Sequence, residues 1–370
     1  MTITHSNITS GLYPLSSAQS RIWFMENLNG ETRAYNDPYD YKIIGKLDVP
    51  LFNKSIGILI DRHESYRTVF RNENGKPHQE ILSNVNYDLE TISLEKEPEE
   101  KRRELIADYS LVSSQHKFDL DKGPLFNFRL LVLGNDEYIL LLNFHHIITD
   151  AFSISIFMDE LMEVYQSLVA GNPMPLAPLP VSYKDFAVWE NSWLDGTECQ
   201  NQVDFWKKEL SGIPEMLQLP LDMPRPRVQQ FHGAEYHFRV DEAIRSKLNS
   251  ICKKHATSML VPMLSAFGVL LSKYSLQEDL VVGVPVANRS EEELQMLIGV
   301  LINTLPLRIK PDQFAGFSEL IDITRDKFMN AYENKEVPFD RLTEELKIKR
   351  HLNSSPVFQV LFNYLTGVRQ

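Results

Sequence analysis

Two adjacent histidines and an aspartate are the residues in this sequence whose types and spacing best fit chemistry. His145 and His146 end an apolar run, and Asp150 follows four residues after the second histidine. Successive strand residues face opposite sides of a sheet, so both imidazoles cannot point into one space. We expect one histidine to reach substrate and the other to pack. Asp150 lies at a turn into a helix, where a carboxylate can cap the helix or pair with a buried arginine.

Other reactive arrangements find little support in the sequence. A metal site would require two adjacent strand residues to converge, which the alternation of faces opposes, so no metal is expected. The chain lacks a GxSxG nucleophile elbow, a GxxxxGK[ST] loop and a GxGxxG loop, which leaves covalent serine catalysis and nucleotide chemistry unsupported. Taken alone, a histidine at a strand end is most simply a core residue with a satisfied hydrogen bond.

Composition restricts the class of protein. With 370 residues and 43% hydrophobic content, the chain exceeds one ordinary core and is too apolar for disorder. A formal charge of -12 argues against nucleic acid as the main partner. The two cysteines, Cys199 and Cys252, lack CxxC spacing and favour a reducing cytoplasm. Because neither a leader nor a run of about 18 apolar residues occurs, we predict a cytoplasmic protein that does not span a membrane.

Hydrophobic periodicity predicts an α+β fold with two related lobes. Proline-rich stretches at 171–180 and 219–227 suggest an N-terminal lobe at 1–175, a connector at 176–233 and a C-terminal lobe at 234–370. In the first half, the pattern predicts helices at 17–27, 51–63 and 152–168 and strands at 39–44, 66–71, 125–133 and 138–146. After a helical segment at 183–210, it predicts helices at 241–255, 257–274 and 317–332 and strands at 234–240, 280–286, 304–309 and 357–364.

Seven segments resemble signature motifs of the condensation domains of nonribosomal peptide synthetases. They occur in the family's order across nearly the whole chain: SAQSRIWF (17–24), RHESYRTVF (62–70), HHIITDA (145–151), YKDFAVW (183–189), IGVLINT (298–304), VPFD (337–340) and SPVF (355–358). The third segment resembles the family's HHxxxDG motif. The number and order of the segments make the resemblance specific.

The resemblance implies a fold and a reaction. The expected fold is two chloramphenicol-acetyltransferase-like lobes in a V, related by a pseudo-twofold axis, each with a mixed or antiparallel sheet flanked by helices. In a tunnel between the lobes, a carrier-bound aminoacyl amine would attack an acyl or peptidyl thioester, or a fatty acyl-CoA in a starter domain. Donor and acceptor peptidyl carrier proteins and a neighbouring adenylation domain would be the partners. The domain itself would bind no cofactor, since 4'-phosphopantetheine on the carriers tethers the substrates.

The resemblance also assigns roles to individual residues. His146 matches the second histidine of the motif and is expected to be catalytic, as a base, as a group that positions the amine, or by stabilising charge in the tetrahedral intermediate. Asp150 is expected to be structural and to pair with Arg62 or, as an alternative, Arg67. His145 is expected to support the site by packing.

Four further residues are candidates for substrate contact. Ala151 and Ser153 follow the motif, and Asn303 and Thr304 lie where the second lobe would approach the tunnel. Ala151 replaces the family's glycine, which would be harmless at a first helical position but strained at a positive φ.

Related activities and a different class of function compete with amide formation. Heterocyclization is disfavoured because position 145 is not aspartate, and no additional motif favours epimerization. Ala151 and the early end of the chain motivate a second hypothesis, in which an inactive condensation-like domain recruits a carrier or a tailoring enzyme. Because the family usually continues through another helix and strand, we expect this chain to be a piece of a larger synthetase.

Overall fold

The chain forms two units whose boundaries do not follow sequence order. The computed structural model describes residues 3–5, 8, 11–29, 33–227, 233–311, 316–349 and 353–365. The first unit contains the described residues of Met1–Trp193 and of Arg289–Leu301, and the second contains those of Leu194–Asn288 and Ile302–Gly367. Residues 176–193, expected in a connector, and 289–301, expected in the C-terminal lobe, therefore belong to the first unit.

The first unit is built on two sheets. Its described strands are β1 (Leu12–Pro14), β2 (Asn36–Ile44), β3 (Thr68–Glu73), β4 (Lys76–Ile81), β5 (Glu90–Ser93), β6 (Phe126–Gly134) and β7 (Glu137–His145). Its described helices are α1 (Ser17–Asn29), α2 (Val49–Arg62), α3 (Glu99–Ser114), α4 (Ala151–Ala170) and α5 (Tyr183–Leu194), which ends one residue beyond the unit. The small sheet has the order β1-β4-β3 and the large sheet the order β2-β7-β6-β5. All neighbours pair antiparallel except β5 and β6.

An aromatic cluster fixes the large sheet against α4. The rings of Phe128 on β6 and Phe144 on β7 have centroids 5.0 Å apart, and Phe157 on α4 lies 5.7 Å from Phe144. Tyr66, 5.6 Å from Phe157, closes the cluster. All four side chains are buried, and burial of each contributes roughly 1.5–3 kcal/mol. The strand that carries the histidines and the helix that follows Asp150 are thus held by one core.

The second unit has a two-stranded antiparallel ladder. Its described elements are α6 (Thr197–Glu209), α7 (Glu242–Lys254), α8 (Leu260–Ser275), β8 (Leu280–Ala287), β9 (Ile302–Ile309), α9 (Phe317–Glu333) and α10 (Phe339–Glu345). β8 pairs with β9, with Leu280 opposite Ile309. α8 packs on α9 and β8. α8 approaches β9 closely at Gly268, where a Cβ would lie 3.0 Å from Cγ2 of Ile309 and make a tight contact.

The predicted α+β class with helix-flanked sheets is confirmed, but three predicted strands are wrong in part or in full. Residues 234–240 form no strand: Tyr236 and Phe238 are exposed, and no described strand offers them a ladder partner. The 357–364 segment makes one isolated bridge, from Leu361 to Gly283. The 66–71 prediction merges a 3-10 turn, Glu64–Arg67, with β3. In each case local β propensity is outweighed by tertiary context.

Candidate active site

His146 lies just beyond the end of β7, on the turn that leads to α4. His146 is the first residue of a 3-10 turn, His146–Ile148. Its backbone N–H donates to the Tyr35 carbonyl at 2.8 Å, a hydrogen bond that continues the pairing of β2 with β7. The imidazole keeps 26% of its surface exposed. Its Nδ1 is 2.8 Å from Oδ2 of Asp37, on β2. His146 is therefore held at one ring nitrogen and accessible at its surface.

The surroundings of His146 favour its protonated form. Burial acts to lower the pKa of the imidazole, but the hydrogen bond to Asp37 and the charges of Asp37 and Asp150 raise it, against a smaller opposing effect of Arg21. The net result is a pKa above the ordinary histidine value of 6.5. The imidazole is consequently a stronger proton acceptor than an isolated histidine.

His145 faces the other way and is enclosed. Its side chain is 3% exposed, and the ring packs against Tyr35 and Phe118, with centroids 6.2 and 5.9 Å away. Its Nδ1 accepts from the Ile147 backbone N–H at 3.2 Å, and its Nε2 is 3.8 Å from Oε1 of Glu26. His145 thus packs and shapes the turn while His146 keeps an accessible surface.

Asp150 is the N-cap of α4 and is fully engaged. Its Oδ1 accepts from the backbone N–H and the hydroxyl of Ser153, both at 2.8 Å, and its Oδ2 accepts from the Leu301 backbone N–H at 3.0 Å. Nη2 of Arg289 approaches Oδ1 to 3.1 Å. The Asp150 and Arg289 side chains are 3% and 4% exposed. The carboxylate thus joins the turn after His146 to the 289–301 segment.

The prediction that Asp150 pairs with Arg62 or Arg67 is therefore wrong. Arg62, at the end of α2, pairs with Glu160 on α4 at 3.3 Å, and Nε2 of His63 is 2.6 Å from the same carboxylate. Arg67 donates to backbone carbonyls, among them that of Leu82. Because α2 packs along α4, its terminal arginine meets α4 beyond the first turn.

Arg289 was missed from the sequence. Its only local signal is a cation two residues after the end of the apolar strand β8. Its Nη1 donates to the carbonyls of Leu294 and Leu297 and its Nη2 to the Ser153 hydroxyl at 2.9 Å. Its guanidinium also lies 4.8 Å from the Phe152 ring centroid.

The two predicted contact residues near the motif, Ser153 and Ala151, differ in exposure. Ser153 is completely buried, and its hydroxyl bonds to Asp150, Arg289 and the Gly299 backbone, so its prediction as a substrate contact is wrong. Ala151 is the exposed first residue of α4, where helical backbone accommodates alanine as readily as any residue.

Gly299 completes this network through its lack of a side chain. Its N–H donates to the Ser153 hydroxyl at 3.1 Å, and a Cβ would lie 1.9 Å from Cδ2 of Tyr183. The Tyr183 hydroxyl in turn donates to the Val300 carbonyl at 2.8 Å. The 289–301 segment therefore passes so closely over α5 that only glycine fits.

Asn303 and Thr304 belong to the second unit. The Asn303 amide donates to the carbonyls of Lys335 and Val337, at 2.6 and 2.7 Å, and its oxygen accepts from the backbone N–H groups of Thr304 and Phe339. Since both amide hydrogens are used inside the unit, the prediction that Asn303 donates to substrate is wrong. Thr304 is half-buried on β9.

Other features of the described residues do not include His146. A cavity of about 630 Å³ in the first unit is lined by Arg62, Glu64 and Lys184 among others, and His146 does not border it. Among the described residues, no group of three or more His, Cys, Asp or Glu side chains is arranged to hold a metal ion. Within the same residues, every helix is too short or too polar to cross a membrane.

Comparison with known proteins shows which family the chain belongs to. The family model for the condensation domain matches residues 9–367. One of the proteins that make up the linear gramicidin synthase of Brevibacillus parabrevis is 38% identical over 349 residues, which are 94% of this chain and 4% of that protein. Gramicidin S synthase 2 of Brevibacillus brevis is 36% identical over 95% of this chain and 8% of that protein. The chain belongs to the condensation-domain family, whose members form amide bonds by acyl transfer in nonribosomal peptide synthetases. It spans less than a tenth of these relatives' length.

Solved structures share the fold. The X-domain from teicoplanin biosynthesis superimposes with a TM-score of 0.86 at 25% identity, over 98% of this chain and 79% of that one. The X-domain has also been solved in a complex with OxyB, which matches with a TM-score of 0.85. A four-domain nonribosomal peptide synthetase bound to AMP and glycine gives a TM-score of 0.84 at 23% identity, over 96% of this chain and 27% of that one.

Proposed function

We propose that this chain forms an amide bond between an aminoacyl group and an acyl or peptidyl group, each carried as a thioester by a carrier protein. The single observation that supports this most is the state of His146: exposed on one side, held through Nδ1 by Asp37, and displayed on a turn that Asp150 fixes. A tethered pair of substrates needs orientation and one proton acceptor more than a covalent enzyme intermediate.

The proposed reaction requires one proton to move. The amine nitrogen of the acceptor forms a bond to the donor carbonyl carbon, and the bond from that carbon to sulfur breaks. His146 accepts a proton through Nε2 from the attacking amine and returns it to the departing sulfur, which leaves as a thiol. The same imidazole could act by orienting the amine through a hydrogen bond. Both roles require an unprotonated Nε2, so each predicts an acid limb in the pH profile that follows the pKa of His146.

The test compares His146→Ala with the unchanged protein. The native-length synthetase is supplied with a loaded donor carrier and a loaded acceptor carrier, and the amide product is measured by mass spectrometry. We expect His146→Ala to lower the rate about 100-fold or more, the usual contribution of a positioned acid or base. His78→Ala is the matched control, because His78 lies on β4 and its imidazole bonds to the Lys76 carbonyl of the same strand. Equal product with and without the imidazole of His146 would overturn the proposal. A parallel arm with acyl-CoA as donor distinguishes a starter domain from one that receives a peptide.

A second candidate function is recruitment of a tailoring enzyme by a domain that forms no amide. The similarity to the X-domain, which has been solved in a complex with OxyB, favours it. It predicts no amide product even with His146 intact, together with binding of a purified tailoring enzyme to the native-length protein. Turnover that depends on His146 would exclude it.

A further inference from the structure

Asp37 occupies a fixed place beside His146 because of the sheet register. β2 and β7 pair so that Asp37 lies opposite Phe144, two residues before His146. Residues offset by two across an antiparallel pair lie on the same face and within reach of long side chains. The residue before Asp37 is anchored as well, since the Asn36 amide donates to the carbonyls of Ser114 and His116 at 2.7 and 2.8 Å.

The contact between Asp37 and His146 determines which ring nitrogen carries the proton. An ionised carboxylate can only accept hydrogen bonds, so at 2.8 Å from Oδ2 of Asp37 the Nδ1 atom must be the donor. In the neutral imidazole the lone pair then resides on Nε2. Without such a partner a neutral histidine exchanges between both tautomers, and only one of them presents a proton acceptor at Nε2.

We propose that Asp37 is a positioning residue that fixes His146 as the tautomer protonated on Nδ1 and free to accept a proton on Nε2. The effect of Asp37 on catalysis rests on the proposed function, whereas its effect on the tautomer of His146 does not. The raised pKa of His146 agrees with this assignment, because Asp37 is the main group that raises it.

Other charged groups around His146 do not replace Asp37. Asp150 raises the pKa of the imidazole by its charge alone, and both its oxygens are occupied by Ser153, Leu301 and Arg289. Arg21, on α1, acts in the opposite direction. Asp37 is therefore the carboxylate that holds the Nδ1 proton of His146.

The first experiment reads the tautomer directly. Imidazole 15N shifts of the labelled full chain are recorded from pH 5 to 9, and His146 is assigned by the signal lost in His146→Ala. We expect a protonated Nδ1 and an unprotonated Nε2 above the pKa. In Asp37→Asn and in the smaller Asp37→Ser, the Nε2–H tautomer should become populated and the pKa of His146 should fall. Asp40→Asn is the matched control, since Asp40 is an exposed carboxylate on the same strand that bonds to Ser110.

The second experiment measures the consequence for turnover. Asp37→Asn should lower kcat about 10- to 100-fold, less than the usual contribution of a positioned base because His146 itself remains, with little change in KM. The acid limb of kcat/KM against pH should move to lower pH, because removal of Asp37 lowers the pKa of His146 while Asp150 and Arg21 remain. Asp40→Asn should leave both unchanged.

The two experiments separate the failures. An unaltered tautomer in both Asp37 variants overturns this inference, whatever the turnover. A changed tautomer with turnover that also survives His146→Ala overturns the proposed function and leaves the assignment of Asp37 standing. A third outcome is that the tautomer changes and turnover depends on His146, yet Asp37→Asn keeps full activity. That result would overturn the claim that the position of Asp37 matters for catalysis.

Discussion

The pair formed by Asp150 and Arg289 offers the sharpest test of the site's architecture. Replacement of Arg289 by Met removes a guanidinium whose side chain is 4% exposed and leaves the Asp150 carboxylate buried without its cation. Loss of one partner from a buried, hydrogen-bonded ion pair costs about 3–5 kcal/mol. Because a folded domain is stable by roughly 5–15 kcal/mol, this is a large fraction of the free energy of unfolding.

A double-mutant cycle converts this reasoning into a measurement. Asp150→Asn and Arg289→Met are combined, and urea unfolding is followed by tryptophan fluorescence, since Trp23, Trp189 and Trp193 all lie in the first unit. The double variant should be less destabilised than the sum of the single variants, with a coupling energy of about 1–3 kcal/mol. The control cycle pairs Asp150→Asn with Arg62→Met, whose guanidinium binds Glu160 instead. A coupling below about 0.5 kcal/mol for Arg289, or a larger one for Arg62, would refute the assignment.

Three other perturbations have defined outcomes. Gly299→Ala should lower Tm sharply, because its Cβ would lie 1.9 Å from the Tyr183 ring. Gly57→Ala is the control: it lies in α2 with open space around it, so it should raise the free energy of unfolding by about 0.5–1 kcal/mol. Burial raises the pKa of Glu190 to about 7, so between about pH 5 and 7 the folded carboxyl keeps a proton that the unfolded one loses. The unfolding free energy of the wild type, measured relative to that of Glu190→Gln, should therefore fall as pH rises from about 5 to 8. A difference between the two proteins that does not change with pH would contradict this. Asn303→Ala should destabilise the second unit by at least about 2 kcal/mol in urea unfolding, because four hydrogen bonds are lost, and a loss below about 0.5 kcal/mol would contradict its structural role.

The elements near the motif could be predicted because local pattern and tertiary burial agree there. The apolar alternation of β6 and β7 and the helical spacing of α4 reflect a shared core, and face alternation separates His145 from His146. The partners of the motif could not be predicted in the same way. Asp37 and Arg289 lie 109 and 139 residues from their partners, and their contacts follow from strand register and chain crossing, which no local pattern encodes.

The same limit explains Arg62 and the second unit. Arg62 is the first residue of the second motif, but the packing of α2 on α4 places it beside Glu160. The β propensity of 234–240 is real, yet a strand also needs a partner. The role of a single residue such as His146 was therefore easier to predict than a role that depends on which distant residue contacts it.

The membership of Arg289–Leu301 in the first unit has a consequence for synthesis on the ribosome. A nascent chain that has reached Trp193 still lacks the guanidinium for Asp150 and the glycine that covers Tyr183. Translation must supply roughly 100 more residues, which takes roughly 5–20 s at ordinary elongation rates. During that interval the turn bearing His146 is attached to a carboxylate with no counterion. The N-terminal unit therefore finishes folding only after most of these 370 residues have been made, and the order of translation delays the site until more than half of the second unit exists.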